Sequence, residues 1–288
     1  MSIAAWPEAL ELHRKLLDKY IGKGNYKLVA YIDTPTGESA FNLWNSNLRS
    51  KAIEISNKWA HETMVVPPEI HENRRVYFPK TKELTARNAN LRAADTLQHI
   101  FNIEIKDQRG QVLLLDNDMF LTNYLRLPEY NLFPHIKAVK QISRSRFLRR
   151  EVEYLWSGLL FFNLEKIRFL DEWSFDCGKV RGVPVDVSGQ TNYWLEKYKE
   201  LELVENITFI EHLPSLTWDE KDMPKRFGNS IREFISKDNR NFADKFYIEI
   251  YDSNFLHFRA GSNWNRENPE IVKARNLLFI TAMENEFL

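Results

Sequence analysis

The sequence predicts an α/β fold with a mostly parallel central sheet flanked by helices and a mixed C-terminal extension. Three observations predict it. Apolar runs and helical periods alternate through the first half as strand, helix, strand, helix, strand, the pattern of right-handed parallel crossovers. The runs are continuously apolar rather than alternating, as strands covered on both faces must be. Acidic residues close two of them, Asp33 after "YKLVAYI" and the pair Asp116 and Asp118 around "QVLLLDND". Ligands of such sheets bind beyond the carboxyl ends of the strands.

Trp6 to Ile21 carries Leu10, Leu16, Leu17 and Ile21 at helical spacing, with Pro7 suited to a first turn. Tyr26 to Asp33 reads as a buried strand, and the "TPTG" that follows as its turn. "SAFNLWNSNLRSKAIEISNKW" has helical period, and "ETMVVPP" is a second strand stopped by Pro67 and Pro68. "TKELTARNANLRAADTLQHIF" is a long helix leading into the strand Gln111 to Leu115. In the second half, "EYLWSGLLFFNLEKI" reads as an apolar strand with a helix start at Asn163, and "GQTNYWLEKYKEL" as a helix. "NITFIEHLP" is a strand, "DKFYIEIYDSNFLHFRAGSNW" one or two strands ending in a glycine turn, and "NPEIVKARNLLFITAMENEF" a closing helix. No repeat, low-complexity tract or long linker divides the 288 residues, so a single domain is expected.

Forty Lys and Arg balance forty Asp and Glu, so no global field points to nucleic acid or an anionic partner. One cysteine, Cys177, excludes an internal disulfide and reads as structural. The N-terminus lacks the pattern of a secretory signal, and no run approaches the ~18 apolar residues of a membrane span. A soluble, cytoplasmic protein is the expectation.

Two carboxylates one residue apart at a strand exit repel each other unless a cation or solvent relieves them. A hard divalent ion, Mn²⁺ or Mg²⁺, suits them and leaves open positions for a diphosphate. The plain alternative is a pair of turn-capping aspartates.

"VLLLDNDMFL" resembles the DxD strand of GT-A nucleotide-sugar glycosyltransferases, and further elements follow in the order of the glycogenin-like and galactosyltransferase-like members. "WSGLLFFNL" is similar to their segment along the donor sugar, "VDVSGQTNYWL" to their element beside the reacting carbon, and "LHFRAGSNW" to their C-terminal histidine element. Asn263 stands where that last element has lysine-proline, and Asp186 and Gln190 are separated where the family has an adjacent pair.

The resemblance implies a GT-A, Rossmann-like domain over residues 1–288, with a nucleotide-binding half (1–125) and a sugar and acceptor half (126–288). It implies Asp118 as a direct metal ligand, Asp116 at the ribose or a metal-bound water, and His257 as the third protein ligand. Ser157 and Gly158 would lie along the donor, while Gly261 and Ser262 would offer backbone N–H groups to phosphate. Arg259 is a candidate for the charge of the missing lysine. Asp186 and Gln190 are the candidate catalytic pair. Tyr31 and Asp33 are candidates for base and ribose contact, as are Arg87 and Asn88, which stand nearer than Arg92. The donor implied is UDP-linked and the acceptor a glycan or other hydroxyl compound. Retention is favoured, with Asp186 as the general base should transfer invert.

Trp156, Trp173, Trp194 and Trp264 offer candidate sugar-stacking rings, most of them expected in the core. "SRSRFLRRE" (Ser143 to Glu151) is the one concentrated basic run. It reads as a solvated helix face or loop, or as a patch meeting an anionic acceptor or donor phosphates. Rival readings are a non-catalytic carbohydrate- or nucleotide-binding protein of the same fold and a sugar nucleotidyltransferase, although "YIDTPTGES" lacks the latter's glycine-rich loop. A metal phosphodiesterase or nuclease would need further acidic and histidine clusters.

Overall fold

The computed structural model describes residues 1–3, 6–33, 47–71, 89–125, 135–259 and 268–288. Chain order begins with strand β1 (Ser2–Ile3), helix α1 (Ala9–Leu17), β2 (Val29–Ile32), α2 (Leu48–Trp59) and β3 (Glu62–Val65). Both crossovers pass through helices, and β2 pairs in parallel with β1 on one side and β3 on the other.

Helix α3 (Ala89–Ile100) then leads to β4 (Gln111–Leu115), β5 (Met119–Leu121), β6 (Ile136–Ser145) and β7 (Arg150–Asn163). Here the expected, mostly parallel sheet gives way to a mixed one. β7 lies between β4 and β6 and runs antiparallel to both, while β10 (Ile207–Phe209) joins β6 in parallel. The cause is local: only the turn 146–149 separates β6 from β7, and so short a link can join only antiparallel neighbours. Asn163 closes β7 and is followed by a turn, not by the expected helix.

The two-sided burial expected of the strands is present. On β4, Leu113 and Leu115 contribute to one apolar cluster, and Val112 and Leu114 to the other. On β2, Ala30 and Ile32 join the first, and Val29 and Tyr31 the second. Both sheets therefore lie between the same two covering layers. The second layer holds Trp173 and Trp194, whose rings meet edge to face at 5.0 Å.

The remaining elements are the β8 (Gly178–Val180) and β9 (Val183–Val185) hairpin, α4 (Thr191–Glu200), β11 (His212–Leu213), α5 (Asn229–Ser236), β12 (Glu249–Tyr251), β13 (Phe255–His257) and α6 (Pro269–Phe287). β11, β12, β13 and β5 form an antiparallel sheet in that order. This register matters most for the site, because it sets His257 opposite Met119, next to Asp118. Among the described residues no helix is long and apolar enough to cross a membrane.

Candidate functional site

β4 ends at Leu115, and Asp116, Asn117 and Asp118 form the link to β5. That link is held from several sides. Asp116 N–H donates to Gly158 O at 3.0 Å, and Phe258 N–H donates to Asp118 O at 2.8 Å. From beneath, Asn117 Nδ2 donates to Trp6 O at 2.7 Å, and His13 Nε2 meets Asn117 O at 3.0 Å. His13 stacks on Phe120 with ring centroids 4.3 Å apart, and burial lowers its pKa to about 4. It is therefore neutral at pH 7 and donates that hydrogen bond. His13 falls on the buried stripe of α1 with Leu10 and Leu17, a spacing legible in the sequence.

His257 and Asp118 meet as the resemblance implies: Nε2 lies 3.2 Å from Asp118 Oδ1. On the other side of the ring, Nδ1 lies 2.8 Å from Glu249 Oε2, which also accepts from Tyr251 Oη at 2.7 Å. Ser215 N–H donates to Glu249 Oε1 at 3.1 Å. Burial opposes charge on His257, but the two flanking carboxylates outweigh it and raise its pKa to about 10. Burial likewise opposes ionisation of Glu249, yet the imidazolium and two further donors bring it down to about 2. Glu249 was not singled out by sequence; its only signal was an acid between Ile248 and Ile250 in a strand.

Asp116 reaches solvent at its side chain. Loss of water around the carboxyl and then the Asp118 charge raise its pKa, with Asp186 adding in the same direction. A shared negative field thus links all three aspartates. Asp186, exposed, accepts from Asn90 Nδ2 at 2.7 Å, which ties the first turn of α3 to this side of the site. Gln190 stands at the N-terminus of α4, with Nε2 3.4 Å from Lys179 O.

Ser157 is buried, and Gly158 lies across from Asp116. The β6–β7 register breaks here: Ala138 pairs with Leu160, but Val139 pairs with Trp156. The slack lets Trp156 turn across Gly158, where an added Cβ would lie 2.3 Å from the indole ring. Trp156 in turn stacks on Tyr251 at 5.4 Å and tilts toward His257 at 5.3 Å. Of the candidate stacking rings, Trp156 lines the site, whereas Trp173 and Trp194 are core.

Asp33 heads a second charged cluster at the end of β2. Its Oδ1 lies 2.9 Å from His71 Nε2 and 2.7 Å from Arg92 Nη2, and Asp95 Oδ2 lies 3.4 Å from His71 Nδ1. Tyr31 packs in the second apolar cluster, where burial raises its phenol to about 12. Arg259 Nη1 lies 3.9 Å from Glu249 Oε1. Arg87, Asn88, Gly261, Ser262 and Trp264 lie outside the described residues.

The donor chemistry fits a hard divalent ion. Asp116 and Asp118 supply oxygen, and the Glu249 carboxylate behind Nδ1 aims Nε2 of His257 at Asp118, as carboxylates orient ligating imidazoles in metal sites. As the side chains stand, the imidazolium takes the cation's role toward Asp118, and among the described residues no group of three or more His, Cys, Asp or Glu converges as a metal site. The chain matches no family model and no curated protein.

Proposed function

We propose that this chain is a metal-dependent glycosyltransferase of GT-A type. It moves a sugar from a nucleotide diphosphate donor, UDP-linked by resemblance, to an acceptor hydroxyl. One observation carries the reading: Asp118 and His257, from elements far apart in the chain, lie 3.2 Å apart at the exit of β4. They do so beside Gly158, bonded to Asp116, in the second segment that the resemblance aligns, which also holds Ser157. The helix-linked parallel strands β1 to β3 support the nucleotide-binding half, residues 1–125. The mixed sheet and the β11–β13 sheet support the sugar and acceptor half, residues 126–288. A single half-buried cysteine and the absence of a spanning helix among the described residues are compatible with a cytoplasmic setting.

Asp118 and His257 would hold Mn²⁺ or Mg²⁺, with Asp116 at the ribose or a metal-bound water. Such an ion supplies positive charge to a departing diphosphate. Glu249 keeps Nε2 of His257 aimed at the ligand position and holds the ring in place. By the resemblance, Asp186, exposed and held by Asn90, would face the reacting sugar. In retention, Asp186 or Gln190 steadies the positive charge on the sugar; in inversion, Asp186 takes the acceptor proton. The bond from sugar to phosphate oxygen breaks, the bond from sugar to acceptor oxygen forms, and the acceptor loses its proton.

The test is a hydrolysis screen of nucleotide sugars with and without Mn²⁺, repeated on Asp118→Asn. Metal-dependent turnover of one donor, lost in the variant by at least about a hundredfold, supports the reading. Turnover unchanged by EDTA or by the substitution refutes it.

A further inference from the structure

The basic run Ser143–Glu151 supplies none of the contacts described above, and it forms a strand–turn–strand tip in place of a helix face. β6 and β7 continue as a two-stranded arm, Val139–Ser145 against Arg150–Trp156, beyond the residues that pair with β10 and β4. Val152 and Tyr154 pack this arm on Val180, Val183 and Val185 of the β8–β9 hairpin. Leu148 lies over Gly182, and Arg150 Nη1 reaches Arg181 O at 3.4 Å. The arm is therefore braced, and its tip has a fixed place.

At the tip Phe147 is 95% exposed with Leu148 exposed next to it, and Ile142 is exposed further down the arm, paired with Glu153. Arg144, Arg146, Arg149 and Arg150 surround it, all exposed. The nearby acids are already paired, Glu151 with Arg144 at 2.6 Å and Glu196 with Arg181 at 2.5 Å. Arg146 and Arg149 form no ion pair among the described residues. Phe147 gains nothing from folding at this exposure, and the unneutralised arginines around it repel one another.

We propose that this tip docks on an anionic lipid bilayer. Phe147 enters the boundary between headgroups and acyl chains, and Leu148 follows at the edge, while the guanidinium groups stay level with lipid phosphates. Arg suits that role because its planar fork pairs with phosphate in two-point fashion. A protruding turn led by an apolar ring fits a bilayer. Single-stranded nucleic acid instead needs a groove with stacking platforms, which a hairpin tip does not offer. Both signals are required, since either an apolar wedge or a basic patch alone binds membranes weakly. Trp156, at the base of the arm, lies against His257, so docking would hold the candidate site near the membrane. The docking itself does not depend on the proposed reaction.

The test is vesicle flotation of the full chain, with phosphatidylcholine alone and with about a third phosphatidylserine. Flotation only with the anionic vesicles is expected. Arg146→Glu together with Arg149→Glu should weaken it by more than about tenfold, and Phe147→Ala by roughly tenfold. All these positions are exposed in a surface turn, so thermal unfolding should be unchanged. In Phe147→Trp, brominated acyl chains should quench emission beyond the level seen with the native chain. The proposal is overturned if anionic vesicles fail to float the chain at low salt. It is also overturned if the double variant floats as well as the native chain, or if Phe147→Trp shows no added quenching. Capture by an oligonucleotide through the same arginines, with no vesicle binding, would assign the arm to nucleic acid instead.

Discussion

His257 Nε2 lies 3.2 Å from Asp118 Oδ1 while its Nδ1 faces Glu249 at 2.8 Å, so one imidazole bridges two buried carboxylates. Antiparallel pairing of β13 with β5 and β12 creates this bridge. In the proposed metal site Glu249 would act as a positioning residue for His257. Glu249→Gln keeps the shape and removes the charge, and should weaken Mn²⁺ binding by roughly ten- to hundredfold. Calorimetric titration checks this; unchanged Mn²⁺ affinity would contradict it.

Gly158→Ala should displace Trp156, because the new Cβ would lie 2.3 Å from the indole. Overpacking of this kind costs about 1–3 kcal/mol, measurable by denaturant unfolding. Displacement of Trp156 from Tyr251 should also change the near-ultraviolet dichroism. A variant with native stability and spectrum would show that the ring moves freely.

His13 gives the fold an acid-sensitive joint. Burial lowers its folded pKa from 6.5 to about 4, so the unfolded chain takes up the proton first as pH falls. The stability that depends on neutral His13 is present above pH 6.5 and declines as pH falls toward about 4. In His13→Gln the unfolding temperature should depend less steeply on pH across that window. An identical slope in both proteins would contradict the assignment.

His71 works in the opposite sense. Burial opposes its charge, but Asp33 and then Asp95 outweigh it and raise its pKa above 6.5. Its contribution is complete below pH 6.5 and is lost as pH rises through the raised folded value. His71→Asn should therefore cost more stability at pH 6 than at pH 9, as read by thermal unfolding. An equal cost at both values would indicate packing alone.

Much of this arrangement is legible from residues. The continuous run Val112–Leu115 announced a strand buried on both faces, and Asp116 and Asp118 follow at its end. The strand Ile136–Ser145 was not legible, because charged residues interrupt it and its turn contains no glycine, asparagine or proline. Arg149 adopts the left-handed conformation, φ 49°, that such a turn needs. Without that turn signal, the antiparallel insertion of β7 could not be read, and the sheet was expected to be mostly parallel. Glu249 and His13 escaped for another reason. His13 acts through Asn117, far along the chain, and Glu249 through the β12–β13 pairing that sets it opposite His257; local periodicity encodes neither contact.

The most direct test of the central claim is calorimetric titration of UDP into the native chain with and without Mn²⁺. The metal-cage account predicts UDP binding that requires Mn²⁺ and disappears in Asp118→Asn. Equal UDP affinity without metal, or no binding at saturating Mn²⁺, would contradict it.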